Sequence, residues 1–305
     1  MKRTQLNIAL ALVAAGLGAA VFFGQKKEAP KGAPLTALNA DAITHIAITH
    51  PGKADIRIEK HGSEWKLTAP VTVDADTIEV NSVLALAGAE AKSTLDAAQI
   101  DKPNLGLEPP LYTVTLNDVV LGFGTIEPLK YLRYVENGKT IALIDDPNAM
   151  PLDDDYSDLV SKTLLPAGAE IEKIEVPGLV VARATDGKGW TASPAEVTVA
   201  ADTLQKFVDG WTGEHSMWNQ LETGTPQGDA MTITLKGGTT LSFLIVSRDP
   251  QFVLERPDIK VRYTLPKDDA AKLLKLSLPQ KPAAGAATEK PAPKAKLPAA
   301  APAKP

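Results

Sequence analysis

A chain of 305 residues with 44% hydrophobic positions is long enough for two domains of ordinary size, each with its own buried core. Its 32 basic and 37 acidic side chains leave a net charge of −5, without the basic excess that phosphate backbones demand, so nucleic acid is not an expected partner. The absence of cysteine removes disulfides, thiolate nucleophiles, cysteine-ligated metals and a lipid-modified amino-terminal cysteine together.

At the amino terminus, Lys2 and Arg3 precede a weakly polar to apolar run from Leu6 to Phe23 in which only Asn7 is strongly polar. As a helix the run spans about 27 Å at ~1.5 Å per residue, close to the roughly 30 Å hydrocarbon core of a bilayer. The expectation is an uncleaved, single-pass anchor in contact with membrane lipid, its globular part exported to the periplasmic side of a bacterial inner membrane. The alternative is a cleaved signal peptide, with Gly18-Ala19-Ala20 as the small-residue site; cutting there would leave Val21, Phe22 and Phe23 in water. Lys26, Lys27 and Lys31 follow the run and partly balance the charges before it.

After a Pro-, Gly- and Lys-rich linker, Ile43, Ile46 and Ile48 announce a strand, and Ile56-Arg-Ile58-Glu-Lys60 alternates apolar with polar at period two. Trp65 and Leu67 share one side of the next strand, which Pro70 closes by withholding a ladder donor. Asp76 is placed as a helix N-cap ahead of Ile78, Val80, Val83, Leu84 and Leu86, whose spacing is largely helical and ends near Gly88. A loop ending Leu105-Gly-Leu-Glu-Pro-Pro110 leads to strands at Tyr112–Leu116, Val119–Gly124, Tyr131–Val135 and Thr140–Ile144, joined by turn formers such as Asn117-Asp118 and Glu136-Asn-Gly138. Tyr156, Leu159, Val160 and Leu164 suggest a short helix.

The order then repeats. Gly62-Ser-Glu-Trp65-Lys-Leu-Thr-Ala-Pro70 with Thr72-Val-Asp-Ala-Asp76-Thr77 is answered by Gly187-Lys-Gly-Trp190-Thr-Ala-Ser-Pro194 with Thr198-Val-Ala-Ala-Asp202-Thr203. Ile171, Ile174 and Val176 answer the first strand, Asp202 is placed as the second helix cap, and strands follow at 231–235, 239–246, 252–255 and 260–265 with a closing helix at 267–275. The fold class is therefore α+β: two tandem related modules, each with antiparallel strands, one helix and further antiparallel strands, behind an N-terminal transmembrane helix. The expected divisions are 1–35 for anchor and linker, 36–165 and 166–278 for the two modules, the second diverged, and 279–305 for a disordered Ala-, Pro- and Lys-rich tail. Five lysines against Glu289 make that tail +4 and leave −9 on the rest of the chain.

The paired residues Trp65 and Trp190, Asp76 and Asp202, and Pro70 and Pro194 are read as structural. The tryptophans are core anchors rather than a carbohydrate platform, and the aspartates are caps contributing about 1 kcal/mol each. His45, His50, His61 and His215 lack metal-ligand spacing. Asp145-Asp146 and Asp153-Asp154-Asp155 lack the glycine and closing glutamate of a calcium loop. With no nucleophile elbow, phosphate loop or dinucleotide fingerprint, no catalytic, cofactor-binding or metal-ligating residue is assigned and no cofactor is expected.

Ile58-Glu-Lys60, Gly62, Trp65, Pro70, Ala75-Asp76, Leu105-Gly-Leu-Glu-Pro109, Val114-Thr-Leu116 and Leu121-Gly-Phe-Gly124 together resemble a bacterial family, the domain of unknown function numbered 4340, over roughly Ala42 to Leu165. The second module has Gly224-Thr-Pro226 in place of the Gly-Leu-Glu-Pro element. The resemblance implies a membrane-anchored envelope protein, sometimes encoded beside transporters of the gliding-motility ABC type, and implies no catalytic residue. The expected function is a tethered scaffold or interaction module with an envelope protein partner, not an enzyme. The alternative is a ligand-binding protein with a groove between the repeats, marked by an apolar cleft with convergent polar groups there.

Overall fold

The computed structural model describes residues 32–145, 152, 155–194 and 199–276. The apolar run expected to span a membrane and the basic tail lie outside these residues. Among the described residues no helix is long and apolar enough to cross a membrane.

Strands β1 (His45–Thr49), β2 (Ile56–His61), β3 (Glu64–Ala69) and β4 (Val73–Asp74) form an antiparallel meander. Helix α1 (Thr77–Ala85) follows, then β5 (Ala91–Asp96). A second meander comprises β6 (Tyr112–Leu116), β7 (Val119–Ile126), β8 (Arg133–Asn137) and β9 (Thr140–Ile144). The nine strands make one sheet in the order β4-β3-β2-β1-β6-β7-β8-β9-β5. Pairing of β1 with β6 fuses the meanders, and α1 carries the chain from the β4 edge to the opposite edge.

The second half follows the same path. It consists of β10 (Ile171–Val176), β11 (Leu179–Arg183), β12 (Trp190–Ser193), helix α2 (Ala201–Thr212), β13 (Trp218–Leu221), β14 (Asp229–Leu235), β15 (Thr240–Ser247), β16 (Phe252–Arg256), β17 (Val261–Leu265) and helix α3 (Asp269–Leu274). Its sheet runs β12-β11-β10-β14-β15-β16-β17-β13, the first order with β4 omitted. Two strand groups, a crossing helix and an edge strand that returns beside the last hairpin therefore occur twice.

Period-two alternation decides which face each sheet buries. Ile46 lies opposite Ile58 on one side and Leu116 on the other, Ile48 opposite Ile56 and Val114, and Val114 opposite Leu121. In the second sheet Ile174 pairs with Val181 and Ile233, Ile233 with Leu241, and Leu254 with Ile245 and Tyr263. These side chains are buried and belong to one continuous apolar core that includes residues of both halves.

The duplicated residues differ in surroundings. Asp76 caps α1, its carboxylate accepting from the amides of Ile78 at 2.9 Å and Glu79 at 3.2 Å. Asp202 is not a cap: α2 starts earlier, at Ala201, and Ala200 takes the cap position without a side-chain hydrogen bond. Asp202 thus lies within the first turn and pairs with Lys206 at 2.7 Å, one turn along the helix surface. Trp65 is buried, whereas Trp190 is half-buried with its indole N–H donating to Gln205 at 2.9 Å. Both tryptophans carry a cation from the paired strand over the ring, Lys60 at 5.7 Å and Arg183 at 4.6 Å. Pro70 and Pro194 both follow cis peptide bonds just beyond these strands. Ile78, counted in the apolar stripe of α1, is 73% exposed, and the buried face comprises Val80, Val83 and Leu84.

Residues 156–164 do not form the short helix their apolar spacing suggested. Their backbone groups bond to other segments: the Asp76 amide donates to Leu159, Ser161 to Asp74, Leu164 to Glu214 and Ser216 to Lys162, at 2.8 to 3.2 Å. Isolated bridges pair Ala75 with Val160 and Thr163 with His215. The segment is a stitch between the β4 edge of the first sheet and the approach to β13 of the second.

Candidate functional site between the repeats

Beside this stitch two adjoining cavities open between the halves. One, of about 220 Å³, is bounded by Lys66, Asp74, Ser161, Arg256 and Tyr263 with apolar walls that include Leu164 and Leu241. The other, of about 330 Å³, shares Asp74, Ser161, Thr163, Leu165 and Pro166 with the first and extends over Trp65 toward Thr212. They form a cleft with an apolar lining and a few convergent polar groups, the composition expected of a binding site.

Its polar groups come from three parts of the chain. Lys66 on β3 and Asp74 on β4 are cross-strand partners, and they form an ion pair at 3.2 Å. Ser161 and Thr163, on the stitch, bond through their hydroxyls at 2.8 Å. Arg256 ends β16, where its guanidinium is held by both carboxylate oxygens of Asp258 and lies 6.0 Å from the Phe243 ring centroid. Tyr263 on β17 is buried, and burial pushes its hydroxyl up to about 12, with Asp258 and Asp74 adding to the rise and Arg256 opposing it. The hydroxyl lies within hydrogen-bonding reach of the Arg256 guanidinium, and the residue lines the smaller cavity.

Four of these positions differ between the copies. By alignment of the two helix-leading segments, Lys66 and Asp74 correspond to Thr191 and Ala200. By ladder position in the equivalent hairpins, Arg256 and Tyr263 correspond to Asn137 and Ala142. The divergence thus supplies two cations, an anion and a phenol to the junction, while the apolar rows of the sheets are kept.

The family-like motifs serve the fold. Leu105 and Leu107 pack with Ala97 and Ile141 in a small second core, and the Leu105 carbonyl accepts from the Thr125 hydroxyl at 3.1 Å. A Cβ at Gly124 would lie 2.3 Å from that carbonyl oxygen and 3.0 Å from the Leu107 side chain, so the bare backbone of β7 is what lets the loop lie down. Gly106, at φ +66°, closes the turn.

None of the residue pairs singled out from the sequence converges on a shared centre. Of them only Trp65 borders the cleft directly, beneath the larger cavity. His45, His61 and His215 are exposed, while buried His50 bonds through Nε2 to the Leu152 carbonyl. Asp145 pairs with Lys92 at 3.1 Å and Asp155 accepts from the Ser157 amide at 2.7 Å. Asp146, Asp153 and Asp154 lie outside the described residues. Among the described residues no group of three or more His, Cys, Asp or Glu could hold a metal ion.

Sequence alone does not single out Lys66, Asp74, Arg256 and Tyr263, because each looks ordinary in its own strand. The signal that could have found them was the mismatch between copies. No curated protein and no solved structure matches the chain. A family model does match, from Trp65 to Lys236, starting inside the first repeat and ending after β14 rather than covering the first repeat alone. With more than half of its length matched, the chain belongs to the family described as domain of unknown function DUF4340.

Proposed function

We propose that this protein is a membrane-tethered, non-catalytic interaction module of the bacterial envelope, auxiliary to a transport complex, and that its working surface is the cleft between the repeats. The observation that carries this reading is that Lys66, Asp74, Arg256 and Tyr263, none of them matched in the other copy, meet around one opening between the repeats. A duplication kept for packing alone has no reason to place Lys66, Asp74, Arg256 and Tyr263 around one opening. Each of the two adjoining lobes, of about 220 and 330 Å³, has room for a side chain or two of a protein partner. The Lys66–Asp74 pair on the wall from the first sheet and Arg256 on the wall from the second would orient a segment bearing both charges.

A photo-crosslinking residue placed at Thr72, on the cleft rim, is expected to capture one envelope protein in intact membranes, and the same residue at exposed Lys188 is not. Adding Lys66→Glu should abolish the Thr72 adduct. Equal capture from Lys188, or an adduct indifferent to Lys66→Glu, would overturn the reading. A second reading, a small ligand in the same cleft, is favoured by the buried Tyr263 phenol that lines it, and would show as stabilisation by a metabolite extract that Tyr263→Phe removes.

A further inference from the structure

The loop between β7 and β8 presents large apolar side chains to solvent. Leu129 is 86% exposed and Tyr131 77% exposed, with Ile126 also exposed at the strand end and Lys130 between them. The loop is held in shape. The Glu127 carboxylate accepts from the amides of Leu129 at 3.0 Å and Lys130 at 2.7 Å, and the Glu127 amide donates to the Leu132 carbonyl at 2.7 Å. Tyr131 has φ +56°, a left-handed conformation that a bulky residue adopts only when its surroundings impose it.

The duplication supplies an internal comparison. The equivalent connection between β15 and β16 reads Arg248-Asp-Pro-Gln251, and its charges are occupied: Arg248 pairs with Asp229 at 2.7 Å and Asp249 with Lys267 at 2.8 Å. An apolar tip is thus not required by the fold.

Register places this tip next to the point where the leading segment joins the body. Ile126 is opposite Arg133, Arg133 opposite Ile144, and Ile144 opposite Ala91, so these four residues form one row at the same end of the first sheet. The Ala91 amide donates to the Ala33 carbonyl at 2.9 Å, and the Gly32 amide to the Glu90 carboxylate at 2.7 Å. At ~4.8 Å per strand, β7 and the attachment at β5 are about 15 Å apart. From Phe23 at the end of the apolar run to Gly32 the chain can reach at most about 30 Å even fully extended.

We propose that Leu129 and Tyr131 insert into the headgroup layer of the bilayer and fix the orientation of the body on the membrane, an inference that rests on the membrane-tether reading. The short leash keeps this end of the sheet near the lipid. The chemistry also fits, since an apolar residue, an amphipathic tyrosine and a lysine together suit the interface of an anionic membrane, where lysine meets headgroup phosphates.

The natural lack of cysteine allows a single label to report on each position. The full chain carrying Leu129→Cys or, as a reference, Gln251→Cys is labelled with a nitroxide and reconstituted into vesicles of phosphatidylethanolamine and phosphatidylglycerol. The Leu129→Cys label is expected to show several-fold greater accessibility to oxygen relative to a water-soluble nickel chelate than the Gln251→Cys label. Equal accessibility while the protein floats with vesicles would overturn the insertion and leave the tether standing. Shielding of the Leu129→Cys label that persists in detergent and grows with protein concentration would mean a second copy covers the tip, and would also overturn it. Flotation that survives alkaline carbonate tests the tether itself; loss in carbonate with a lipid-shielded tip beforehand would sink the tether and keep the insertion. A chain that never associates with vesicles defeats both.

Discussion

Asp76 and Asp202 occupy the same place in the repeated sequence, yet their removal should have unequal cost. In Asp76→Ala the amides of Ile78 and Glu79 lose their acceptor at a largely buried site, and Lys162, 3.9 Å from the carboxylate, loses a neighbouring charge. Cap removal costs typically about 1 kcal/mol and up to about 2, and the loss of an acceptor for two amides together with the charge beside Lys162 places this case at the upper end. With a urea m-value of about 2–3 kcal/mol/M, a loss of about 2 kcal/mol lowers the unfolding midpoint by roughly 0.7–1 M. Asp202 is 75% exposed and makes only a surface pair with Lys206, so Asp202→Ala should leave the midpoint unchanged within error. The assay is urea unfolding of the full chain in a mild detergent, followed by tryptophan fluorescence. Asp76→Asn is the control, because asparagine caps as well as aspartate and should restore most of the midpoint. Equal shifts for the two alanine variants, or an Asn variant as weak as the alanine, would refute the assignment of Asp76 as a cap and Asp202 as a surface residue.

Tyr263→Phe should change how stability depends on alkaline pH. The folded hydroxyl is raised by burial from 10.0 to about 12, so its contribution is whole below about pH 10, falls as the unfolded chain's phenol ionises, and is lost above about 12. Relative to the variant, wild type should lose about 2–3 kcal/mol between pH 9 and pH 12 in urea titrations, and a difference independent of pH would count against the buried phenol. Gly124→Ala should cost about 1–3 kcal/mol through collision with the Leu105 carbonyl, read as a lower melting temperature; an unchanged value would mean that the loop does not lie against β7. Gly210→Ala should act in the opposite sense. Gly210 is inside α2, a Cβ there meets Leu273 at an ordinary 3.6 Å, and replacing a helical glycine gains about 0.5–1 kcal/mol, so a fall in melting temperature would contradict the packing of α3 on α2.

The strands with regular alternation were legible from sequence, as was the duplication itself, because burying one face of a sheet imposes a period of two on whichever residues form it. Edge strands β5 and β13 were not. Ala91–Asp96 buries only Ala91, and Trp218–Leu221 buries only Asn219, so neither has an alternating apolar signature. Their places come from ladders with β9 and β17, partners distant in the chain. The segment around Val160 misled for a related reason: its leucines and valine are spaced as if for a helix, but tertiary acceptors and donors at Asp74, Asp76 and Glu214 take its backbone groups.

Local pattern alone thus determined the class of the fold, its repetition and the identity of most core positions, since these depend on hydrophobic periodicity and turn chemistry within short windows. Only the tertiary structure decided that equal residues such as Asp76 and Asp202 have unequal roles, and that Lys66, Asp74, Arg256 and Tyr263 meet. A helix can begin a residue or two earlier at small energetic cost, and a cleft is assembled from strands far apart in sequence, so neither outcome is written in any one stretch of the chain.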